Sequence, residues 1–405
     1  MNADDAVFTG LGIVAPNGIG HEDYWAATLA GRDGITAITR FDPDGFPVRV
    51  AGQVEAFSAE ERVPGRLAVQ TDRWTHLAFG GADLALLDAG AELAGRPEYE
   101  LAVITAGSSG GNEFGQREIQ KLWGQGPQFV GVYQSIAWFY AATTGQLSIR
   151  HGLRGPCGVR VTEQAGGLDA IADARRAVRT GSRLVLTGGT EAPLSPYALV
   201  CQGASGLLSG DGHYRPFDAA AAGYVPGEGG AILVVESAAG AAERGARVYG
   251  RVAGYAATFD PPPGGAPGRP GRPPGLRRAI ELALADAGLE PGDIGVVFAD
   301  GHGAPEPDRL EAEALRVVFG PGGVPVTAPK SMTGRLYAGG SALDTATALL
   351  ALRDQVIPPT TGTAAPAPEY EIDLVLGVPR PAPLRHALVL ARGFGGFNAA
   401  LVLSL

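Results

Sequence analysis

Lysine, cysteine and long apolar runs are scarce in this chain of 405 residues. The two cysteines, Cys157 and Cys201, are too few for a disulfide framework, which favours a reducing compartment. No segment approaches the roughly 20 consecutive apolar residues that span a bilayer. The start of the chain, Met1–Asp5, is acidic where a signal peptide carries basic residues. We therefore expect a cytoplasmic protein without a membrane segment.

Positive charge comes almost entirely from arginine, because Lys121 and Lys330 are the only lysines. The net charge of −10 argues against nucleic-acid binding, which needs a clustered basic surface. The spacing of cysteine and histidine fits no zinc pattern, so we expect no metal site. The length allows one large α/β unit or two fused domains with a buried core.

Short apolar runs bounded by glycine alternate with helical patterns along the whole chain. The predicted strands are 6–9 (ending in Gly10-Leu11-Gly12), 100–106, 158–161, 183–187, 231–236, 248–254, 294–299, 385–390 and 399–403, and the predicted helices are 22–30, 166–181, 276–287 and 308–319. Two β/α-rich halves, 1–240 and 241–405, indicate a layered α/β fold. The Pro/Gly-rich segment 261–275 is predicted to be a surface loop inside the second half.

Gln164 stands where a strand feeds a helix rich in small residues, a position typical of a catalytic nucleophile. A cysteine at such a corner would be stabilised as its thiolate by the unpaired N–H groups of the helix start. An amide has no ionisable proton and is a very poor nucleophile. The sequence therefore predicts a place for covalent catalysis without the reactive group.

Five motifs carry a resemblance to a known family. They are Thr9–Gly12, Arg215–Asp218, Gly223–Gly229, Lys330–Gly334 and Gly393–Asn398. Along nearly its full length the chain resembles the β-ketoacyl synthases of the thiolase superfamily. Within them, Glu163–Asp169 resembles the chain-length factor, the β subunit of the type II polyketide ketosynthase. The resemblance implies a thiolase-like fold in which two related β/α halves form αβαβα layers.

The resemblance also implies that the condensing site is lost. An active ketosynthase uses a cysteine and two histidines, and these positions fall on Gln164, Asp300 and Arg335. Neither a carboxylate nor a guanidinium replaces a neutral imidazole near pH 7. Whether Asp300 and Arg335 pair across the emptied site stays open at this stage.

Other family positions are retained. Lys330 matches the structural lysine, with Asp308 and Glu311 as the acidic pair expected near it. The N–H of Phe394, with that of Gln164, matches the oxyanion position, and we interpret both as kept by the turn that the fold needs. His302 is predicted to be a loop histidine with local hydrogen bonds, and Cys157 and Cys201 are predicted to be buried apolar fillers.

Asn112, Gly115 and Ile119 fall on one face if residues 110–119 are helical. The resemblance implies that this face lines the tunnel at a heterodimer interface and limits polyketide length. An amide, a glycine and one aliphatic residue predict a long tunnel and a long product, with Tyr197 as an aromatic stop further in. Interface packing alone would also use small residues here, and the two interpretations can hold together.

The run 133–140 is unusually aromatic, which favours an interface at Tyr133, Trp138 and Phe139 over a core helix. The resemblance implies a ketosynthase α subunit as partner. Substrates would arrive on the phosphopantetheine arm of an acyl carrier protein, docking mainly on that partner because this chain is acidic. No bound cofactor is expected.

Three functions compete. The first is a non-condensing subunit that shapes the tunnel. The second is a malonyl-acyl carrier protein decarboxylase acting through Gln164, although relatives with glutamine there keep both histidines. The third is a homodimeric scaffold, which leaves the glutamine motif and the tunnel face unexplained.

Overall fold

The computed structural model describes residues 2–260 and 274–405, so residues 261–273 of the predicted Pro/Gly-rich loop lie outside the described residues. The strands are β1 (Ala6–Ala15), β2 (Gly18–Ile19), β3 (Ile35–Ala37), β4 (Val50–Gly52), β5 (Leu101–Ala106), β6 (Cys157–Arg160), β7 (Leu184–Glu191), β8 (Gly229–Ser237), β9 (Gly250–Phe259), β10 (Val296–Phe298), β11 (Pro325–Thr327), β12 (Val356–Ile357), β13 (Asp373–Leu374), β14 (Arg380–Pro381), β15 (His386–Gly393) and β16 (Phe397–Ser404). The helices are α1 (His21–Leu29), α2 (Ala59–Arg62), α3 (Gly65–Ala68), α4 (Arg73–Ala89), α5 (Asn112–Gly124), α6 (Gln134–Ala137), α7 (Ala142–His151), α8 (Gly166–Arg179), α9 (Pro196–Gly203), α10 (Ala238–Glu243), α11 (Gly275–Ala287), α12 (Pro305–Phe319) and α13 (Ala338–Asp354).

The main sheet runs in the order β13-β11-β10-β15-β16-β9-β1-β8-β7-β5-β6, with β2 beside β1. The path β6-β5-β7-β8-β1 contains two parallel pairings followed by two antiparallel ones. The path β11-β10-β15-β16-β9 repeats that pattern. The two half-sheets meet where Val7 and Phe8 pair with Arg251 and Gly250. The chain therefore consists of two related β/α halves, as the resemblance implied.

Five layers follow from where the helices pack. Helices α8 and α13 lie between the half-sheets in one large apolar cluster, and α13 is buried from Ala338 to Leu352. Helix α4 covers the outer face of the first half-sheet, and α11 and α12 cover that of the second. The expected αβαβα arrangement is confirmed. Within the described ranges no helix is long and apolar enough to cross a membrane.

Strand β1 continues beyond the predicted end at Gly10-Leu11-Gly12 and reaches Ala15. The two glycines allow α4 to approach the strand backbone. A Cβ added to Gly10 would lie 2.1 Å from the carbonyl oxygen of Ala85, and one on Gly12 would lie 1.8 Å from that of Gly81. Both glycines therefore mark close helix–strand packing, which a one-dimensional pattern does not distinguish from a strand end.

Candidate functional site

Gln164 lies at the corner between β6 and α8, in a short 3₁₀ turn over Glu163–Ala165. Its side chain is fully buried, and among residues 2–260 and 274–405 neither amide atom has a hydrogen-bond partner. Its carbonyl oxygen accepts a hydrogen bond from the Ser341 hydroxyl at 2.6 Å, which links the corner to α13. The strand-to-helix corner predicted from the sequence is present, and it holds a buried amide.

Glu163 occupies the two backbone donors predicted for the oxyanion position. Its Oε2 accepts the N–H of Gln164 at 2.8 Å and the N–H of Phe394 at 2.9 Å. Burial raises the pKa of the Glu163 carboxyl. The residue adopts φ of 52°, a strained value for a side chain of this kind. Stabilising an oxyanion requires donors aimed at the developing charge, and here both are already engaged.

Asp300 and Arg335, placed by the resemblance at the two histidine positions, form a buried ion pair. Nη2 of Arg335 lies 3.0 Å from each carboxylate oxygen, and the side chains are 0% and 4% exposed. The N–H of Arg392 donates to the same carboxylate at 3.0 Å. Burial alone would raise the pKa of Asp300, but the charges of Arg335 and Lys330 and the N–H of Arg392 together outweigh it, so the pKa lies below its usual value. The pairing left open by the sequence is therefore present.

Lys330 contacts a carboxylate that the sequence did not single out. Its Nζ lies 2.7 Å from Asp344 on α13 and donates to the carbonyl of Ala299 at 2.6 Å. Asp344 was not predicted because it lies inside a helix without any motif of its own. The lysine thus ties α13 to the end of β10.

Asp308 and Glu311, on α12, are buried and accept backbone N–H groups. Glu311 accepts those of Asp300 and Gly301 at 2.8 and 2.9 Å. Asp308 accepts that of Gly303 at 3.0 Å, and burial raises the pKa of its carboxyl to about 7. Both side chains therefore shape the loop that carries the first histidine position.

His302 is half-buried and packs edge-on against Tyr224, with ring centroids 5.3 Å apart. The predicted local hydrogen bonding is not seen at its Nδ1, which has no partner in the described part of the chain. Burial lowers the pKa of His302 to about 3, so the ring is neutral at pH 7. A cavity of about 260 Å³ opens between this ring, Glu163 and Phe394.

The prediction of buried cysteines is wrong, since Cys157 and Cys201 are both exposed. Cys157 begins β6, the last strand of the first half-sheet, where only one neighbour covers the backbone. Cys201 lies on α9, one turn after Tyr197, and lines the open cavity beside His302 and Phe394. Edge position and helix face, rather than residue type, decide the exposure of both thiols.

Helix α5 forms where the tunnel face was predicted. The three residues predicted for that face differ in their burial and neighbours. Asn112 is half-buried and Ile119 is 44% exposed. A Cβ on Gly115 would lie 2.7 Å from Cδ1 of Trp138, so the space beside this glycine is filled by an indole ring. The backbone N–H of Tyr197 donates to a side chain of α5, Gln116, at 2.9 Å. The structure thus brings Asn112, Gly115, Trp138 and Tyr197 into one region.

An apolar surface lies on and after α5, and we call it the aromatic patch. Its exposed members are Ile119, Trp123, Phe129, Val132, Trp138, Phe139 and Tyr140, while Tyr133 is half-buried. Trp123 is 83% exposed, and Trp138 and Phe139 are 52% and 43% exposed. These exposures rule out a core helix for this run. Clustered exposed aromatic residues are typical of protein interfaces.

Family models and known proteins agree with this geometry. The models of the β-ketoacyl synthase N-terminal and C-terminal domains match residues 3–241 and 249–364. The β subunit of the tetracenomycin polyketide synthase ketoacyl synthase from Streptomyces glaucescens is 62% identical over 402 residues, covering 98% of this chain and 97% of that protein.

Two solved structures share the fold over almost the whole chain. The ishigamide ketosynthase/chain length factor has a TM-score of 0.91 at 29% identity and covers 99% of this chain and 98% of that one. A type II acyl-carrier protein in complex with its ketosynthase, bound to the hexaketide, gives a TM-score of 0.87 at 26% identity and covers 100% of both chains. The protein belongs to the β-ketoacyl synthase family, as a ketosynthase β subunit of the type II polyketide synthases.

Proposed function

We propose that the chain is a chain-length factor, the non-condensing partner of a catalytic ketosynthase α subunit in aromatic polyketide biosynthesis. The observation that carries this is the filled catalytic site. Gln164 replaces the nucleophile, the Asp300–Arg335 ion pair replaces both histidines, and Glu163 holds the oxyanion donors. We further divide the chain at 1–240 and 241–405, which the repeated strand pairing supports.

The aromatic patch is the proposed surface for the α subunit, with Tyr133, Trp138 and Phe139 in the contact. Burying such side chains supplies much of the affinity of an interface. Substrates remain on the phosphopantetheine arm of an acyl carrier protein. The carrier docks mainly on the α subunit, because a net charge of −10 repels an acidic partner.

Asn112, Gly115, Ile119 and Tyr197 line the proposed tunnel. The long product follows from the modest side chains at positions 112 and 119. Gly115 contributes less room than its lack of a side chain suggests, because Trp138 fills the adjacent space. A larger side chain for testing the tunnel therefore belongs at position 112, which is half-buried and already carries a side chain.

The test is reconstitution with a ketosynthase α subunit, carrier protein and malonyl groups. We expect the two chains to co-purify as a one-to-one complex and polyketide to form only when both are present. Trp138→Arg should abolish the complex, and Arg49→Gln, at an exposed ion pair, should leave it intact. Polyketide formation by the α subunit alone, at the same rate and length, would contradict the proposal.

The decarboxylase alternative has its own assay. Carbon dioxide released from malonyl-carrier protein by this chain alone, and lost in Gln164→Ala, would establish it. The engaged oxyanion donors and the absence of both histidines argue against that outcome.

A further inference from the structure

Helix α5 carries the proposed tunnel residues, yet little apolar packing holds it. Of its thirteen residues, only Gly115 and Glu118 are buried. Helices in proteins are stabilised mainly by packing of an apolar face, and in the described part of the chain Gly115 is the only apolar residue of α5 that is buried. Polar contacts therefore have a large share in fixing where it lies.

The first turn of α5 is held from two sides. The carboxylate of Asp72 accepts the backbone N–H of Phe114 at 2.7 Å. On the other side, Arg40 donates through Nη2 to the carboxylate of Glu113. Glu113 lies in the first turn, beside Asn112, so its contacts set the position of that residue.

Arg40 connects this turn to a fixed point in the fold. Its Nη1 donates to Oε2 of Glu228 at 2.6 Å. Glu228 is 0% exposed and also accepts bonds from Arg73 at 2.7 and 2.8 Å and from the N–H of Val54 at 3.0 Å. A carboxylate held by four donors does not move with the helix, so Arg40 transmits its position to α5.

We propose that Arg40 is a positioning residue for product length: by bridging Glu113 to Glu228 it fixes α5, and with it Asn112, at one place on the tunnel wall. This inference rests on the proposed function. A guanidinium suits the role because its planar fork can bind two carboxylates at once, whereas an ammonium is a single point charge.

The experiment compares product lengths in the reconstituted complex for Arg40→Gln, Glu113→Gln, the double variant and Arg40→Lys. Arg49→Gln is the matched control, because it removes an arginine from an exposed pair with Asp44. We expect Arg40→Gln to lower the share of the main product on the order of two-fold, with malonyl consumption within about two-fold of wild type. Glu113→Gln should lower the share of the main product by a similar factor, and the double variant should lower it no further than either single variant. Arg40→Lys should keep a share of the main product between those of Arg40→Gln and wild type.

Fold integrity is read separately by hydrogen exchange of the free chain. Arg73 still pairs with Glu228 in Arg40→Gln, so the core should keep its protection. Exchange in residues 112–118 should rise about ten-fold, and Arg49→Gln should change nothing.

Three outcomes would overturn the inference. Unchanged lengths in Arg40→Gln, while Asn112→Phe shortens the product, would reject the role of Arg40 and leave the proposed function standing. Equal changes in Arg40→Gln and Arg49→Gln would show a general effect of lost charge. An unchanged product length in Asn112→Phe would show that α5 does not form the tunnel wall. The proposed tunnel and the role of Arg40 would then both be wrong.

Discussion

Replacing one member of the Asp300–Arg335 pair should destabilise the fold far more than replacing both. In Arg335→Met the carboxylate of Asp300 stays fully buried, loses two contacts at 3.0 Å and keeps the N–H of Arg392. Stranding one charge of a buried pair costs about 3–5 kcal/mol. The double variant Asp300→Leu/Arg335→Met removes both charges and should lie within about 2 kcal/mol of wild type.

Urea unfolding followed by tryptophan fluorescence and circular dichroism gives the four free energies of this cycle. We expect a coupling of about 3 kcal/mol or more between the two sites. Arg309→Met, at an exposed arginine, is the control and should leave the urea midpoint close to that of wild type. A double variant as unstable as the sum of its singles would show that Asp300 and Arg335 do not stabilise each other as a buried pair. The double variant should still support polyketide formation, because the proposed function gives the pair no catalytic role.

Three further predictions concern single residues. Trp138→Ala opens the space beside Gly115 and should lengthen the product, whereas Phe139→Ala should not; equal lengths in both would contradict this. Lys330→Met strands Asp344 and should cost about 3–5 kcal/mol in urea unfolding, and a cost below about 1 kcal/mol would reject the pair as structural. Burial lowers the pKa of His302 to about 3 in the folded protein, while the unfolded chain takes up the proton near pH 6.5. Above pH 6.5 the ring is neutral in both states, and below it protonation of the unfolded chain lowers the free energy of unfolding. Relative to His302→Gln, wild type should lose about 1.4 kcal/mol per pH unit from pH 6 to 4, and parallel profiles would contradict it.

Much of the fold could be predicted because its signals are local or carried by motifs. Gln164 follows an apolar strand and precedes small residues, so the local sequence pattern predicts the strand-to-helix corner. Helix α5 has a period that places Asn112 and Ile119 on one face. The resemblance supplied the layers, which composition and periodicity alone leave open.

The contacts that complete the site could not be predicted because they join distant segments. Glu163 meets the N–H of Phe394 across 231 positions, and Arg40 meets Glu228 across 188. The only sequence signal for Glu163 was its position directly before Gln164. The indole of Trp138 beside Gly115 likewise depends on the path of the intervening loop, which no periodicity describes.

The cytoplasmic location predicted from the two cysteines and the acidic start stays a prediction. Both thiols are exposed, so their oxidation state would report the redox environment directly. Mass spectrometry of the protein after rapid alkylation in cells should find both reduced. Recovery of either as a mixed disulfide would contradict the prediction.

Whether α5 of this chain sets product length is decided by the length of the polyketide made with Asn112→Phe. The same α subunit, carrier protein and malonyl groups are combined with wild type, with this variant, or with Gln120→Phe, which introduces the same side chain at an exposed position of α5. We expect a shorter polyketide for Asn112→Phe at similar malonyl consumption and the wild-type length for Gln120→Phe. An unchanged length in Asn112→Phe would contradict the claim that this chain sets the length of the product.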